Sequence, residues 1–156
     1  MEIEKLEIYD FLKSCNPLNK LSDAQLKELS LSIEITYAPR DSDVLVPKTQ
    51  NKYLYLIRSG SVERTDNNQG LVARFEEQDF FGHRAIERGG TVEKKVTALE
   101  DSLFYLIPDK IYAKFMQENK DFRRYFHQTK NKRLRSALNE IQTQENTANI
   151  ATNISD

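Results

Sequence analysis

The segment Asp79-Phe80-Phe81-Gly82-His83-Arg84-Ala85-Ile86 decides how the rest of this chain is read. Short β-like runs flank it. Tyr53-Leu54-Tyr55-Leu56-Ile57 and Ser61-Val62-Glu63-Arg64 precede it, joined across Ser59-Gly60, and Val96-Thr97-Ala98 and Leu103-Phe104-Tyr105-Leu106-Ile107 follow. Between these runs Phe81-Gly82 opens a turn of small residues whose backbone N–H groups are suited to receive an anion. The segment therefore has the outline of a pocket.

Upstream, Leu6, Ile8, Tyr9, Phe11 and Leu12 recur at helical spacing until Asn16-Pro17 ends the run. Ser22-Asp23-Ala24-Gln25 is a capping-box pattern that opens a second helix carrying Leu26, Leu29 and Leu31. From Ile33 the period becomes two, with Ile33, Ile35 and Tyr37 on one face and Glu34 and Thr36 on the other. Further short runs at 44–46, 71–75 and 94–99 complete an evenly spaced series, which predicts a barrel or sandwich. Asp66-Asn67-Asn68-Gln69-Gly70 reads as a hairpin loop, since a calcium loop would need an acidic bidentate ligand further on. After Pro108 helical spacing returns with Ile111, Tyr112, Phe115 and Met116. It continues through Phe122, Tyr125, Phe126, Leu134, Leu138 and Ile141 between basic residues. From Gln142 the chain is polar without aromatics, the composition of a linker or tail. The expected divisions are a helical segment at 1–32, a β-domain at 33–107, helices at 108–141 and a tail at 142–156.

Bulk properties narrow the function. The net charge of −1 over 156 residues supplies no global attraction to nucleic acid or anionic membrane. The longest apolar run has the length of a strand, far short of the roughly 20 residues that span a bilayer. The acidic N-terminus does not read as a signal peptide, and the single Cys15 fits a reducing compartment, so a cytoplasmic location is expected. Cys15 itself reads as a small buried hydrophobe. No metal-ligand spacing and no nucleophile–base pair stands out, so catalysis is not expected from these residues.

The order of helices, short strands with a Phe-Gly turn and then helices resembles the cyclic nucleotide-binding domain family over about residues 6–130. The residues that carry the resemblance are Tyr55-Leu56-Ile57-Arg58-Ser59-Gly60-Ser61-Val62, Asp79-Phe80-Phe81-Gly82 and Val96-Thr97-Ala98-Leu99-Glu100-Asp101. The resemblance implies an α+β, mainly β fold: a jelly-roll β-barrel, or β-roll, with N-terminal helices and a C-terminal amphipathic helical segment. The wording of the third motif and Pro108 look most like the version that precedes CBS repeats and a nucleotidyltransferase-like domain in bacterial signalling proteins. Such a downstream domain, or a second copy of the chain through the C-terminal helix, is the partner the resemblance implies.

The family's phosphate-binding cassette places a Glu after Phe-Gly for the ribose hydroxyl and, roughly ten residues on, an Arg for the phosphate. Here His83 stands at the Glu position. Counting forward reaches Glu93 at the Arg position, and counting back from Val96 and Ala98 reaches Val92. Charged hydrogen bonds contribute roughly 1.5–3 kcal/mol each, so losing both partners costs about two to four decades of affinity. Lys48 and Gln78 also replace two family glycines.

The candidate ligand-binding set is thus Phe81, Gly82, His83, Arg84, Ala85, Ile86, Val92, Glu93 and Lys94, with Arg88 and Lys95 beside it. The expected function is a regulatory or sensor module with a degenerate cyclic-nucleotide site and no cofactor, cyclic AMP and cyclic GMP being disfavoured. One alternative is a functional binder of a cyclic nucleotide or another anion through the turn at 81–86, using Arg84, His83 and the backbone, although His83 by itself reads more simply as a polar residue of the pocket wall. Another is nucleic-acid binding by the basic run Arg123-Arg124, Lys130, Lys132-Arg133 and Arg135, set against a solvated basic helix face.

Overall fold

The computed structural model describes residues 3–66 and 70–128. Two helices lead in: α1 (Ile3–Ser14) and α2 (Asp23–Ser32), with a 3-10 turn at Leu18–Lys20 between them. The expected capping box is present at α2. The Ser22 hydroxyl accepts from the Gln25 N–H at 3.1 Å, and the Gln25 side chain accepts from the Ser22 N–H at 3.0 Å. Leu26 and Leu29 turn inward, whereas Leu31 is exposed.

Eight strands follow: β1 (Glu34–Ala38), β2 (Asp43–Leu45), β3 (Tyr53–Ser59), β4 (Val62–Thr65), β5 (Leu71–Phe75), β6 (Phe80–Phe81), β7 (Lys95–Ala98) and β8 (Ser102–Pro108). They form two antiparallel four-stranded sheets, in the orders β1-β8-β3-β6 and β2-β7-β4-β5. The expected β-roll is thus observed. Consecutive strands β3 and β4 lie in different sheets, and Gly60 makes the crossing at φ 97°. A Cβ there would come within 2.7 Å of Ser102 Cα, so only glycine fits the corner.

The inner faces of both sheets enclose one apolar core that includes Ile57, Val62, Phe75, Phe81, Val96 and Phe104. β8 is buried at nearly every position because its outer face is also covered. Phe11 of α1 meets Tyr105 edge-on at 5.6 Å. β1 adds what the sequence reading left open, the facing of its alternation. Its period of two is real, but the apolar residues Ile35 and Tyr37 face outward and are exposed, while Ala38 enters the core. Among the described residues β1 pairs with β8 alone, as an edge strand, and alternation alone does not say which face meets the core.

Beyond the roll, α4 (Asp109–Glu118) buries Tyr112 and Phe115, and helical residues resume at 120–128 after a break at Asn119. Phe122 packs edge-on against both rings, at 5.9 Å and 5.7 Å. Residues through Arg123 belong to one compact unit. The expected helix from 129 to 141, most of the basic run and the tail at 142–156 lie outside the described residues. Among the described residues no helix is long and apolar enough to cross a membrane.

Candidate ligand-binding cleft

The segment after β6 is a short helix, α3 (His83–Glu87). Gly82 caps its start with φ 91°, a conformation that suits glycine, and a Cβ there would stand 3.0 Å from the Tyr53 carbonyl oxygen. Gly89 and Gly90, both at positive φ, end it, and the Gly90 N–H returns to the Ala85 carbonyl at 2.7 Å. Asn51, a buried polar side chain absent from the sequence reading, fastens the turn to β3. Its amide donates to the Tyr53 carbonyl at 2.8 Å and the Gly82 carbonyl at 3.0 Å. Backbone bonds Lys48 N–H to Val92 O and Val92 N–H to Thr49 O, both 2.9 Å, stitch the far end of the turn to the loop before it.

These ties shape a cleft of about 70 Å³ between α3, the 92–94 segment and β4. Leu45, Ala85, Val92 and Val96 make its apolar side, with Phe81 and Gly82 at its base. Arg64, Arg84, Arg88, Lys94 and Glu93 make the charged side, four cations against one carboxylate. Val92 is 3% exposed and belongs to the roll core, while Glu93 sits at the rim and pairs with Arg88 at 3.3 Å. Of the two countings from sequence, the inward one is Val92.

The two faces of α3 separate the candidate residues. Positions 84, 85 and 88 look into the cleft. Positions 83 and 87, four apart and so on one face, look toward α4. His83 is buried with its ring 6.4 Å from that of Tyr112, and Glu87 accepts a hydrogen bond from the Tyr112 hydroxyl at 3.1 Å. Burial first, and then the Glu87 charge, holds the Tyr112 phenol well above its ordinary pKa, so it stays a donor. Helix periodicity places His83 toward Tyr112, and it is not among the residues that line this cleft. Ile86 also does not line it. Lys95 points out and pairs with Asp43 at 3.4 Å, on the face opposite Lys94, as strand alternation requires.

Arg64 escaped the sequence reading. The signal was available in Val62-Glu63-Arg64-Thr65, whose alternation puts the arginine on the same inward face as Val62. Lys48 and Gln78, read as glycine replacements, both hold left-handed backbone, at φ 69° and 73°. Among the described residues no group of histidine, cysteine, aspartate or glutamate is placed to hold a metal ion.

The profile of the cyclic nucleotide-binding domain matches residues 37–119, more than half of the chain. Among curated proteins no sequence matches significantly. Solved structures share the fold. The sensor domain of the transcriptional regulator DNR from Pseudomonas aeruginosa aligns with TM-score 0.69 and 19% identity over 81% of this chain and 92% of that one. The regulatory subunit of a cAMP-independent protein kinase A from Trypanosoma brucei gives 0.72 and 15% over 82% and 46%. The catabolite activator protein of Thermus thermophilus gives 0.64 and 16% over 86% and 63%. The chain thus spans less than two thirds of the latter two, and at these identities they establish the fold alone. From the profile match and the two-sheet roll with its cassette, the chain belongs to the cyclic nucleotide-binding domain family.

Proposed function

We propose that this domain is a non-catalytic regulatory module whose cyclic-nucleotide site is degenerate. The observation that carries the reading is Val92, buried in the roll core where the family resemblance puts the phosphate-pairing arginine. An isopropyl group offers a cyclic phosphate no hydrogen bond, and the Glu93 carboxylate beside it repels one. His83, at the place of the ribose-binding Glu, is directed at Tyr112. The Trypanosoma brucei neighbour, which shares the fold, is the regulatory subunit of a protein kinase A described as cAMP-independent.

The module's route outward runs through Tyr112. It joins the cassette helix, by Glu87 and His83, to α4 and Phe122, so a change in the pose of α3 is felt in the C-terminal helical segment. The output partner in this reading is a downstream domain of the CBS and nucleotidyltransferase-like kind, or a second copy of the chain.

A second reading is favoured by the excess of cations at the cleft: the module binds an anionic ligand other than a cyclic nucleotide. A thermal-shift panel of cyclic nucleotides, linear nucleotides and small phosphates tests both. A ligand at 100 times its dissociation constant adds roughly 2.7 kcal/mol of stability, a shift of several degrees. Stabilisation by micromolar cyclic AMP contradicts the degenerate site, and silence across the whole panel contradicts the anion binder.

A further inference from the structure

We propose that the open edge of β1 is a docking strand for an extended peptide segment of a partner protein, one that sets an apolar residue beside Tyr37 and a lysine or arginine beside Ile35.

β1 pairs with β8 on one side, and among the described residues no strand pairs with its other side, so backbone groups there are open to an added strand. Edge strands are commonly blunted by lysine, proline or a bulge. Between Glu34 and Ala38 there is no lysine, proline or register shift, and alternation turns the one charge, Glu34, to the opposite face from Ile35 and Tyr37. Register sets Ile35 beside Tyr105 and Tyr37 beside Leu103 on that shared face. α1 covers part of it, since Phe11 meets Tyr105 edge-on and leaves it 5% exposed. At the edge the cover stops, and Ile35 and Tyr37 are 46% and 59% exposed.

Beside Ile35, α1 and the sheet enclose a groove of about 410 Å³, within the roughly 300–1,000 Å³ of sites that enclose drug-sized ligands. Ile8, Ile35, Leu103 and Tyr105 make its apolar side, and Glu4 and Glu7 its acidic side. Arg58 also lines it, but its guanidinium stands 3.4 Å from Glu77 and 4.4 Å from the centre of the Phe11 ring. The charge the groove still presents is therefore that of Glu4 and Glu7.

That charge selects the occupant. A lysine or arginine lays its stem along apolar surface while its head reaches a carboxylate, and Ile35, not Tyr37, lines the groove, so the basic residue belongs beside Ile35. A second copy of this chain fits less well. Joining β1 to β1 antiparallel would put the Glu4 and Glu7 of both copies on one face of the combined sheet, and Glu34–Ala38 has no basic residue to meet them.

The test titrates the full 156-residue chain with a capped pentapeptide, Thr-Val-Thr-Lys-Thr, and follows amide chemical shifts. In antiparallel register the peptide sets valine across from Tyr37 and lysine across from Ile35. The expected result is a saturable titration with the largest shifts at residues 34–38 and 4–8. Affinity should fall at least tenfold when glutamate replaces the peptide's lysine, and at least threefold when the chain carries Glu4→Gln and Glu7→Gln together. Ile35→Lys, at an exposed position where the fold tolerates it, should weaken binding at least tenfold, with the amide spectrum of each variant reporting that it is folded. Equal affinity for the lysine and glutamate peptides overturns the charge selection. No shifts at 34–38 with millimolar peptide overturn the docking strand. A concentration-dependent dimer that shifts 34–38 without peptide assigns the edge to a second copy and overturns the proposal as well.

Discussion

Phe104 on β8 and Arg64 on β4 occupy inward positions in the two sheets of the same roll, yet they do opposite things. Phe104 is fully buried and meets Tyr55 and Phe81 edge-on at 5.7 Å and 5.4 Å, and Tyr55 stacks on Phe81 at 4.7 Å. That wall is sealed by ring packing. Arg64 puts a charge into the opposite wall, where the roll opens into the cleft. One wall is closed by ring packing, while the other carries a charge beside the cleft.

Removing a large ring from the sealed side should therefore cost the most. Phe104→Ala is expected to lower unfolding free energy by about 3–5 kcal/mol in chemical denaturation. The contrast breaks if Arg64→Met is equally destabilising. Its expected effect is smaller than that of Phe104→Ala, because methionine keeps an unbranched apolar stem against the Phe75 ring.

The sealed side extends beneath the N-terminal helices to Cys15, which is fully buried and donates to the Phe11 carbonyl at 3.2 Å. Burial pushes its thiol up from 9.0 to about 11. The folded chain then keeps a proton that the unfolded chain loses, so this contribution is intact below pH 9 and is lost as pH rises toward 11. Compared with Cys15→Ala, the wild type should lose up to about 3 kcal/mol more stability across that window. Parallel pH profiles of the two proteins would show the thiol is not sealed, as would rapid modification of native Cys15 by a thiol reagent at pH 8.

Much of the roll was legible because its signals are local. The capping box at Ser22, the Gly60 corner and the Phe81-Gly82 turn each need particular residues at particular positions. Lys48 and Gln78 hold left-handed backbone, the conformation that favours glycine, although neither is glycine. What sequence did not reveal depended on facing. Ile35 and Tyr37 alternate as expected but look outward, because an edge strand's pattern has no sign until a partner sheet is placed. His83 and Glu87 share the α3 face that meets Tyr112, a contact between residues 25 apart in the chain for Glu87 and so invisible to spacing. Arg64 was readable from the Val62 alternation, but its meaning needed the cleft. The two-residue strand β6 lay within the turn motif and was too short to show a period.

The central claim is that the cassette keeps the family's shape and has lost its cyclic-nucleotide chemistry at Val92 and His83. Calorimetric titration of the wild-type chain with cyclic AMP, carried to millimolar ligand, tests it most directly. The account predicts no saturable heat. Saturable binding at micromolar cyclic AMP would contradict it.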